Sequence, residues 1–493
     1  MKKYIMIALL TLGVTSCQLV DVLDKKPEFE ADLDGAITNQ ESVELALNGI
    51  YYYLPGNGFN VIFPTVSGSF KAGTMLRQDL VTAGNAVYFS ERTLPTLGFS
   101  DPTEWDSDYS MIKNANFLES ACNAIDAGAF SGNRKEEILG EIAFLKAFAY
   151  FRLMTYYTEF WDENSSYGLI IRDELPAVSN SLKKRSSVKE SYELILGYLK
   201  TAIEKAPDYS ASYQASKEAA MALKAKVLFY KGDYENALTA INDVISKVSL
   251  ESTYGNVFDK ASTSKEILFA RVFGTKDAPN TSTRLSAFGN SPNKNEGYWG
   301  PTSTYVDMVG DDPRAKDIFS KVDSLDSRGV VAYNLKSIKK LLNEKNDMPV
   351  IYMRTAELYL MKAEAIYRTN GSIADSYGAI KPLRSRVGAD IKEPATREAL
   401  EDALFKEWLI EMSFESWHEW FAAIRFAGLK ADKPNFERLL AMNETMKKAL
   451  DKEYETSQDK GDAYLQRIKD RRIEMIPTAE LQSNHEAVQN PGY

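Results

Sequence analysis

The stretch RKEEILGEIAFLKAFAYFRLMTYYTEF, residues 134–160, restricts the fold more than any other part of the chain. Its apolar residues fall on more than one helical face, so a surface position with a single apolar stripe is ruled out. A chain containing such a segment must surround it with other helices. SVKESYELILGYLKTAIEKAP (187–207) supplies one, with Ser187 at a capping position and Pro207 after the end. Thr38 and Glu41 have capping-box spacing ahead of the stripe Val43, Leu47, Ile50 and Leu54, which Pro55 and Gly56 stop. A helix resumes near Trp105 and runs through SMIKNANFLESACNAI, residues 396–427 and 433–472 read as helices, and the tail from Ile476 reads as extended. The expected fold class is mainly α.

KEAAMALKAKVLFYKGDYENALTAINDVISK (217–247) reads as two helices around a KGDY turn. Ala225, Gly232, Asp233, Tyr234 and Ala237 fit a tetratricopeptide repeat, with small residues at the helix crossing and in the second helix. A weaker copy lies at 354–388, with Gly371 in the turn. The two turns stand too far apart for adjacent repeats, so at least two further helix pairs are irregular or carry insertions. Two regions break the helical reading. Residues 55–104 are rich in Gly, Pro, Ser, Thr and Asn and show no sustained helical period. Residues 270–304 exceed usual connection lengths, and loops this long tend to be functional or disordered. Phe273, Phe288, Tyr298 and Trp299 count against disorder there.

The N-terminus has the layout of a signal peptide. Lys2 and Lys3 precede an apolar run from Tyr4 to Val14 that is too short to span a bilayer. LGVTSCQLVD resembles a lipobox, so Cys17 is expected at the first mature position of a bacterial lipoprotein, with its thiol acylated; the plainer alternative is an ordinary secretory signal with a Cys near the cleavage site. The expected organisation is residues 1–16 as signal peptide, 17–37 as lipidated tether and 38–493 as a single domain. Within it, helical repeats lie at about 134–247 and 350–427, and loop-rich regions at about 55–104 and 270–304. The net charge of −10 argues against nucleic acid as a partner and against a polybasic membrane patch. With Cys17 acylated, only Cys122 remains, and a buried inert thiol is expected in its helix.

Only two histidines occur, His418 and His485, and the chain has no HExxH, CxxC, GxSxG or P-loop. DLDG at 32–35 lacks the remaining ligands of a calcium loop. Neither a metal nor a cofactor is indicated, and nothing in the sequence demands catalysis.

The tail IPTAELQSNHEAVQNPGY brings a family into view. The chain resembles the SusD/RagB family of Bacteroidetes outer-membrane lipoproteins. GEIAFLKAFAYFRL (140–153) is similar to the family's long-helix motif. MRTAELYLMKAEAIYRTNG (353–371) matches its R-x-A-E…A-E-A pattern through Arg354, Glu357, Glu364 and Gly371. PLRSRVG (382–388) and the terminal QNPG (489–492) follow in order. Glu415, Trp420 and Arg425 match the family near 415–425, whereas Ser416 replaces a Gly, His418 sits near an Arg position and Ala422 near an Asp. The resemblance implies a SusD-like fold, with four tetratricopeptide-like helix pairs supporting an irregular loop-rich half. It implies a protein that is not an enzyme. It implies capture of oligo- or polysaccharide at the cell surface, lipid anchoring in the outer membrane and delivery to a SusC-like TonB-dependent transporter. The alternative is a tetratricopeptide-type interaction protein that binds peptides or another non-glycan nutrient in the same complex.

Sugar rings present apolar C–H faces rimmed by hydroxyls, which suit aromatic rings and Asn, Asp or Arg side chains. The candidate binding residues in the long loop are Trp299, Tyr298, Phe288, Arg284, Asn290 and Asn293; in the earlier loop they are Arg77, Asp79, Asn85, Tyr88 and Phe89. Each has a plainer reading: Trp299 or Tyr298 could anchor its loop, and Arg77 with Asp79 could form a surface ion pair. Trp105, Trp161, Trp408, Trp417 and Trp420 are expected in the core, and Glu357, Glu364, Arg384 and Arg386 in ion pairs within the repeats.

Overall fold

A computed structural model describes residues 33–54, 68–69, 75–83, 86–92, 102–272, 298–301, 303–322, 335–338, 340, 349–427, 472–491 and 493. In chain order the main elements are α1 (Gln40–Tyr51), β1 (Met75–Ala83), β2 (Ala86–Arg92), α2 (Pro102–Ala124), α3 (Arg134–Tyr157), α4 (Val188–Lys205), α5 (Lys217–Lys231) and α6 (Tyr234–Ile245). Then come β3 (Ile267–Arg271), β4 (Tyr298–Pro301), α7 (Ser303–Val309), β5 (Phe319–Val322), β6 (Leu335–Ile338), β7 (Val350–Arg354), α8 (Thr355–Arg368), α9 (Ile373–Ser385), α10 (Arg397–Glu411), α11 (His418–Ala427) and α12 (Thr478–Ser483).

The fold is mainly α, and α3 lies at its centre. Every residue of α3 from Ile138 to Tyr157 is buried. Its two buried cations are paired: Lys146 Nζ is 2.9 Å from both Glu119 and Asp173, and Arg152 Nε is 3.2 Å from Asp108. Pairing is what lets charges stay inside such a helix. Gly140 permits the close crossing with the end of α4, because a Cβ there would stand 2.2 Å from the Ala206 amide nitrogen.

Four helix pairs, α3/α4, α5/α6, α8/α9 and α10/α11, stack in succession. The KGDY turn forms as expected: Gly232 takes φ +85°, and the Asp233 side chain accepts from the Asn236 amide at the start of α6. In the weaker copy the left-handed residue is Asn370 (φ +59°), while Gly371 packs closely on Ile366. One expectation fails. The two repeats lie far apart in sequence, yet α8 packs directly on α5 and α6. The intervening chain leaves the stack as one large insertion and returns through β3 and β7, an antiparallel pair buried along its whole length.

Other boundaries shift. The α1 cap is Asn39, whose Oδ1 accepts from Ser42 N while Ser42 Oγ accepts from Asn39 N; Thr38 and Glu41 do not form the box. Residues 396–427 form two helices, broken where Phe414 and Ser416 take φ +60° and +55°. Ser416 thus stands in the backbone region that favours glycine, the residue the family pattern has there. The tail is not wholly extended, since it contains α12. Its QNPG motif is a clasp: Gln489 pairs with both backbone groups of Ile476, and Asn490 Nδ2 donates to the Tyr157 and Glu474 carbonyls. Trp105, Trp408, Trp417 and Trp420 are buried as expected, Trp161 is half-buried beneath Arg472, and Cys122 is buried, which pushes its thiol up. Residues 433–471 lie outside the described residues.

The Gly140 crossing gives a matched pair of variants. Gly140→Ala is expected to destabilise by about 1–3 kcal/mol through overpacking. Gly197→Ala, in α4 with nothing within 4 Å of its added Cβ, is expected to stabilise by about 0.5–1 kcal/mol. Urea unfolding midpoints of the two variants against the parent check both signs.

Candidate functional site

The two regions read as loops meet in one antiparallel sheet of order β2-β1-β4. β1 and β2 form a hairpin in which Ala83 pairs with Ala86. The sequence carries the signal: Val81 and Thr82, then Gly84-Asn85, then Val87, Tyr88 and Phe89. A Gly-Asn pair between β-branched and aromatic runs marks a two-residue hairpin. Composition concealed it, because Gly, Ser, Thr and Asn dominate the flanks. Tyr298 and Trp299 belong to β4, an outer strand, which is where a proline such as Pro301 is tolerated.

The register brings candidates from both regions together. Position 77 pairs with position 299, and position 78 with 298. Position 79 pairs with 90, 80 with 89 and 81 with 88. With alternation every two residues, positions 77, 79, 88 and 299 fall on one face of the sheet and positions 89 and 298 on the other. Positions 77 and 299 are therefore direct partners, with 79 two residues further along β1; position 88 lies on the same face but opposite position 81, on the far side of β1 from β4, and positions 89 and 298 share the opposite face. Asn85, Arg284, Phe288, Asn290, Asn293 and Cys17 lie outside the described residues.

The helical stack grips the chain where this half leaves it. Arg271, the last residue of β3, donates to the carbonyls of Tyr52 and Leu54, so the starts of both excursions are joined. Ser69 Oγ lies 2.8 Å from Glu419, and a Cβ on Gly68 would meet the Trp417 Cα at 2.6 Å. Tyr305, on α7 just after β4, donates to the Leu409 carbonyl at 3.0 Å.

Beneath these contacts lies a buried charge network. Arg354 sits at the junction of β7 and α8. Its Nη1 is 2.7 Å from both Glu266 and Glu411, and its Nε is 2.8 Å from Glu415. Arg386 reaches Glu266 at 2.6 Å and also Glu411. Arg314 reaches Glu407 at 2.6 Å and Glu411 at 3.0 Å, and Lys340 meets Glu415 at 2.5 Å. Glu407 and Glu411 are one turn apart on α10, which aims both at the same guanidinium. Burial alone would raise the Glu411 and Glu415 carboxyls, but Arg386, Arg354 and Arg314 hold Glu411 well below the usual range, and Arg354 with Lys340 lowers Glu415. Burial brings Lys340 down to about 8. The expected ion pairs exist but cross between repeats: Arg384 pairs with Glu407, Glu364 with Arg425 and Glu357 with Lys226. Buried His418 stacks on Trp408, and burial pushes its pKa well below the ordinary value. Among the described residues, no group of three or more His, Cys, Asp or Glu side chains could hold a metal ion.

The model of the SusD family matches residues 327–493, and a SusD-like model described as starch-binding and associating with the outer membrane matches residues 77–229. The chain belongs to the SusD/RagB family. SusD-like protein P38 of Formosa agariphila is 27% identical over 242 residues, covering 48% of this chain and 44% of P38, so less than half of P38 is spanned. A SusD-like protein of Bacteroides ovatus is 23% identical over 468 residues, covering 85% of this chain and 82% of that protein. The solved structure of a laminarin-binding SusD-like protein superposes with a TM-score of 0.66 at 17% identity, covering 92% of this chain and all of that one. In this chain QNPG, Arg354, Glu364 and Glu415 each tie distant segments together.

The network predicts a graded response to substitution and acid. Arg354→Met leaves three buried carboxylates short of a partner and is expected to cost about 3–5 kcal/mol. Arg354→Lys recovers little of it, because one ammonium cannot replace the planar fork. Glu411 and Glu415 titrate below the unfolded carboxylate range, so their contribution is present above about pH 4.5 and lost as the pH falls. The stability difference between the parent and Arg354→Met, from urea unfolding at pH 7 and pH 3.5, is expected to shrink on acidification.

Proposed function

We propose that this protein captures oligo- or polysaccharide at the cell surface and hands it to a SusC-like TonB-dependent transporter, held to the outer membrane through acylated Cys17. The observation that carries the reading is the β1–β4 pairing, which sets positions 77 and 299 opposite each other. An aromatic ring beside a guanidinium and a carboxylate is what a sugar needs: the ring covers the apolar C–H face, and Arg77 and Asp79 serve the hydroxyls. Such a site binds without a nucleophile or a metal. The laminarin-binding relative and the starch-binding description of the matching model support a glycan as the ligand class. The apolar run before Cys17 supports the anchor, and family membership supports the transporter as partner. No helix among the described residues is long and apolar enough to cross a membrane.

Stacking of a base on an aromatic side chain is worth about 1–3 kcal/mol, and the lower end is taken for a sugar by analogy. Trp299→Ala is then expected to weaken glycan binding about five- to tenfold. Affinity electrophoresis of the mature chain through gels holding single polysaccharides tests this. Retardation by at least one polymer, reduced in Trp299→Ala and in Arg77→Ala, is the expected result. Unchanged retardation in both variants would remove the sheet as the site, and retardation by no polymer would favour peptide cargo. For the anchor, each buried acyl CH₂ adds about 0.8 kcal/mol of membrane affinity. Cys17→Ser is therefore expected to move the protein from the membrane to the soluble fraction on cell fractionation.

A further inference from the structure

The register of the β2-β1-β4 sheet singles out a residue that neither loop announces. Position 77 pairs with 299 on one side and with 92 on the other, so Trp299, Arg77 and Arg92 stand in one row across three strands. Directly paired positions share a face. By the two-residue alternation, that face also holds Asp79, Tyr88 and Ser90, whereas Leu76, Leu80, Val87, Phe89 and Tyr298 fall on the other. One polar and one apolar face is the pattern of an antiparallel sheet that packs on one side only.

The row is uneven in charge. Two arginines at directly opposite positions repel each other, and a sheet carries such a pair at a cost. Asp79 is the one acid among the register positions of this face, two residues along β1 from Arg77 and diagonal to Arg92. The face thus holds two positive charges against one negative. The chain as a whole carries −10, with 69 Asp and Glu against 59 Lys and Arg. A positive row is a local exception on such a chain, and the field of the whole protein opposes an anionic partner that nothing specific holds.

The row also sets a chemistry and a length. A guanidinium presents a planar fork of donors that matches a carboxylate. An acid group placed at the arginine pair would cancel its repulsion, which a hydroxyl cannot do. Positions 299 and 92 are two strand spacings apart, about 9–10 Å. A ring stacked at position 299 therefore leaves the arginine pair to the next sugar residue.

We infer that the β1–β4 face selects acidic saccharides, in which the sugar residue next to the one held at Trp299 carries a carboxylate or sulfate group that Arg77 and Arg92 receive. This rests on the reading of the sheet as the glycan site and narrows its ligand class. Arg92 is then a specificity-determining residue, joined to the site only through the register.

Isothermal titration of the full chain tests the class. The probes are polygalacturonate, alginate and a sulfated galactan, each beside its carboxyl-reduced or desulfated form, with starch and laminarin as neutral polymers. The expected result is that at least one acidic polymer binds and that its neutralised form binds tenfold or more weakly. Arg92→Gln weakens the acidic polymer tenfold or more, whereas Lys200→Gln, at an exposed lysine of α4, leaves it within twofold. The urea unfolding midpoint of Arg92→Gln equals or exceeds the parent's, because one of two like charges is gone. The inference is overturned, with glycan capture left standing, if only neutral polymers bind, if acidic and neutralised forms bind alike, or if Arg92→Gln binds within twofold of the parent. It is also overturned if Lys200→Gln loses as much binding as Arg92→Gln, or if Arg92→Gln lowers the midpoint, as loss of a structural partner would. Binding of none of the polymers overturns the capture reading and this inference together.

Discussion

The rest of the structure depends on one buried guanidinium. Arg354 ends the last strand before the third helix pair and begins that pair's first helix, and it touches three carboxylates from three places: Glu266 ahead of β3, Glu411 at the end of α10 and Glu415 in the break after it. Burying a charge this deeply costs several kcal/mol unless its hydrogen bonds are met. Here they are met only when the strand pair, the third helix pair and the fourth helix pair are all in place. The network therefore adds little net stability over an apolar core of the same shape, but it penalises any arrangement in which one segment is displaced. Specification of geometry is the role that such a network can play.

That geometry decides how the loop-rich half is mounted. The insertion between the second and third helix pairs leaves through β3 and returns through β7, and the network clamps both ends. Arg314 and Lys340, from within the insertion, bond Glu407, Glu411 and Glu415 on the stack. Arg271 joins the same exit to the end of α1, where the first excursion departs. Two chain segments separated by about two hundred residues thus begin from one anchored point and pair as β1 and β4. A sheet made from segments so distant needs such an anchor, because loop-closure entropy otherwise opposes their meeting.

The helical half was legible because each element repeats its own signal. α3 declares its burial through apolar residues on more than one face, Ser187 caps α4, and Gly232 with Asp233 turns the chain between α5 and α6. What failed was the inference from sequence distance to spatial distance: nothing local in residues 246–353 says that they leave and return, so α8 on α6 was not foreseen. The sheet was only half legible. Residue types singled out both regions, and Gly84-Asn85 marks a two-residue hairpin in sequence, but the register that unites position 77 with 299 belongs to the tertiary fold. Trp105 reads as core and is almost fully buried.

Hydrogen–deuterium exchange with and without a glycan that retards the chain is the most direct measurement of where capture takes place. Residues 75–92 and 298–301 are predicted to gain protection together on adding the glycan, because the pairing of β1 with β4 makes them one surface. Protection confined to α2 and residues 172–183, with the sheet unchanged, would contradict the assignment of capture to the sheet.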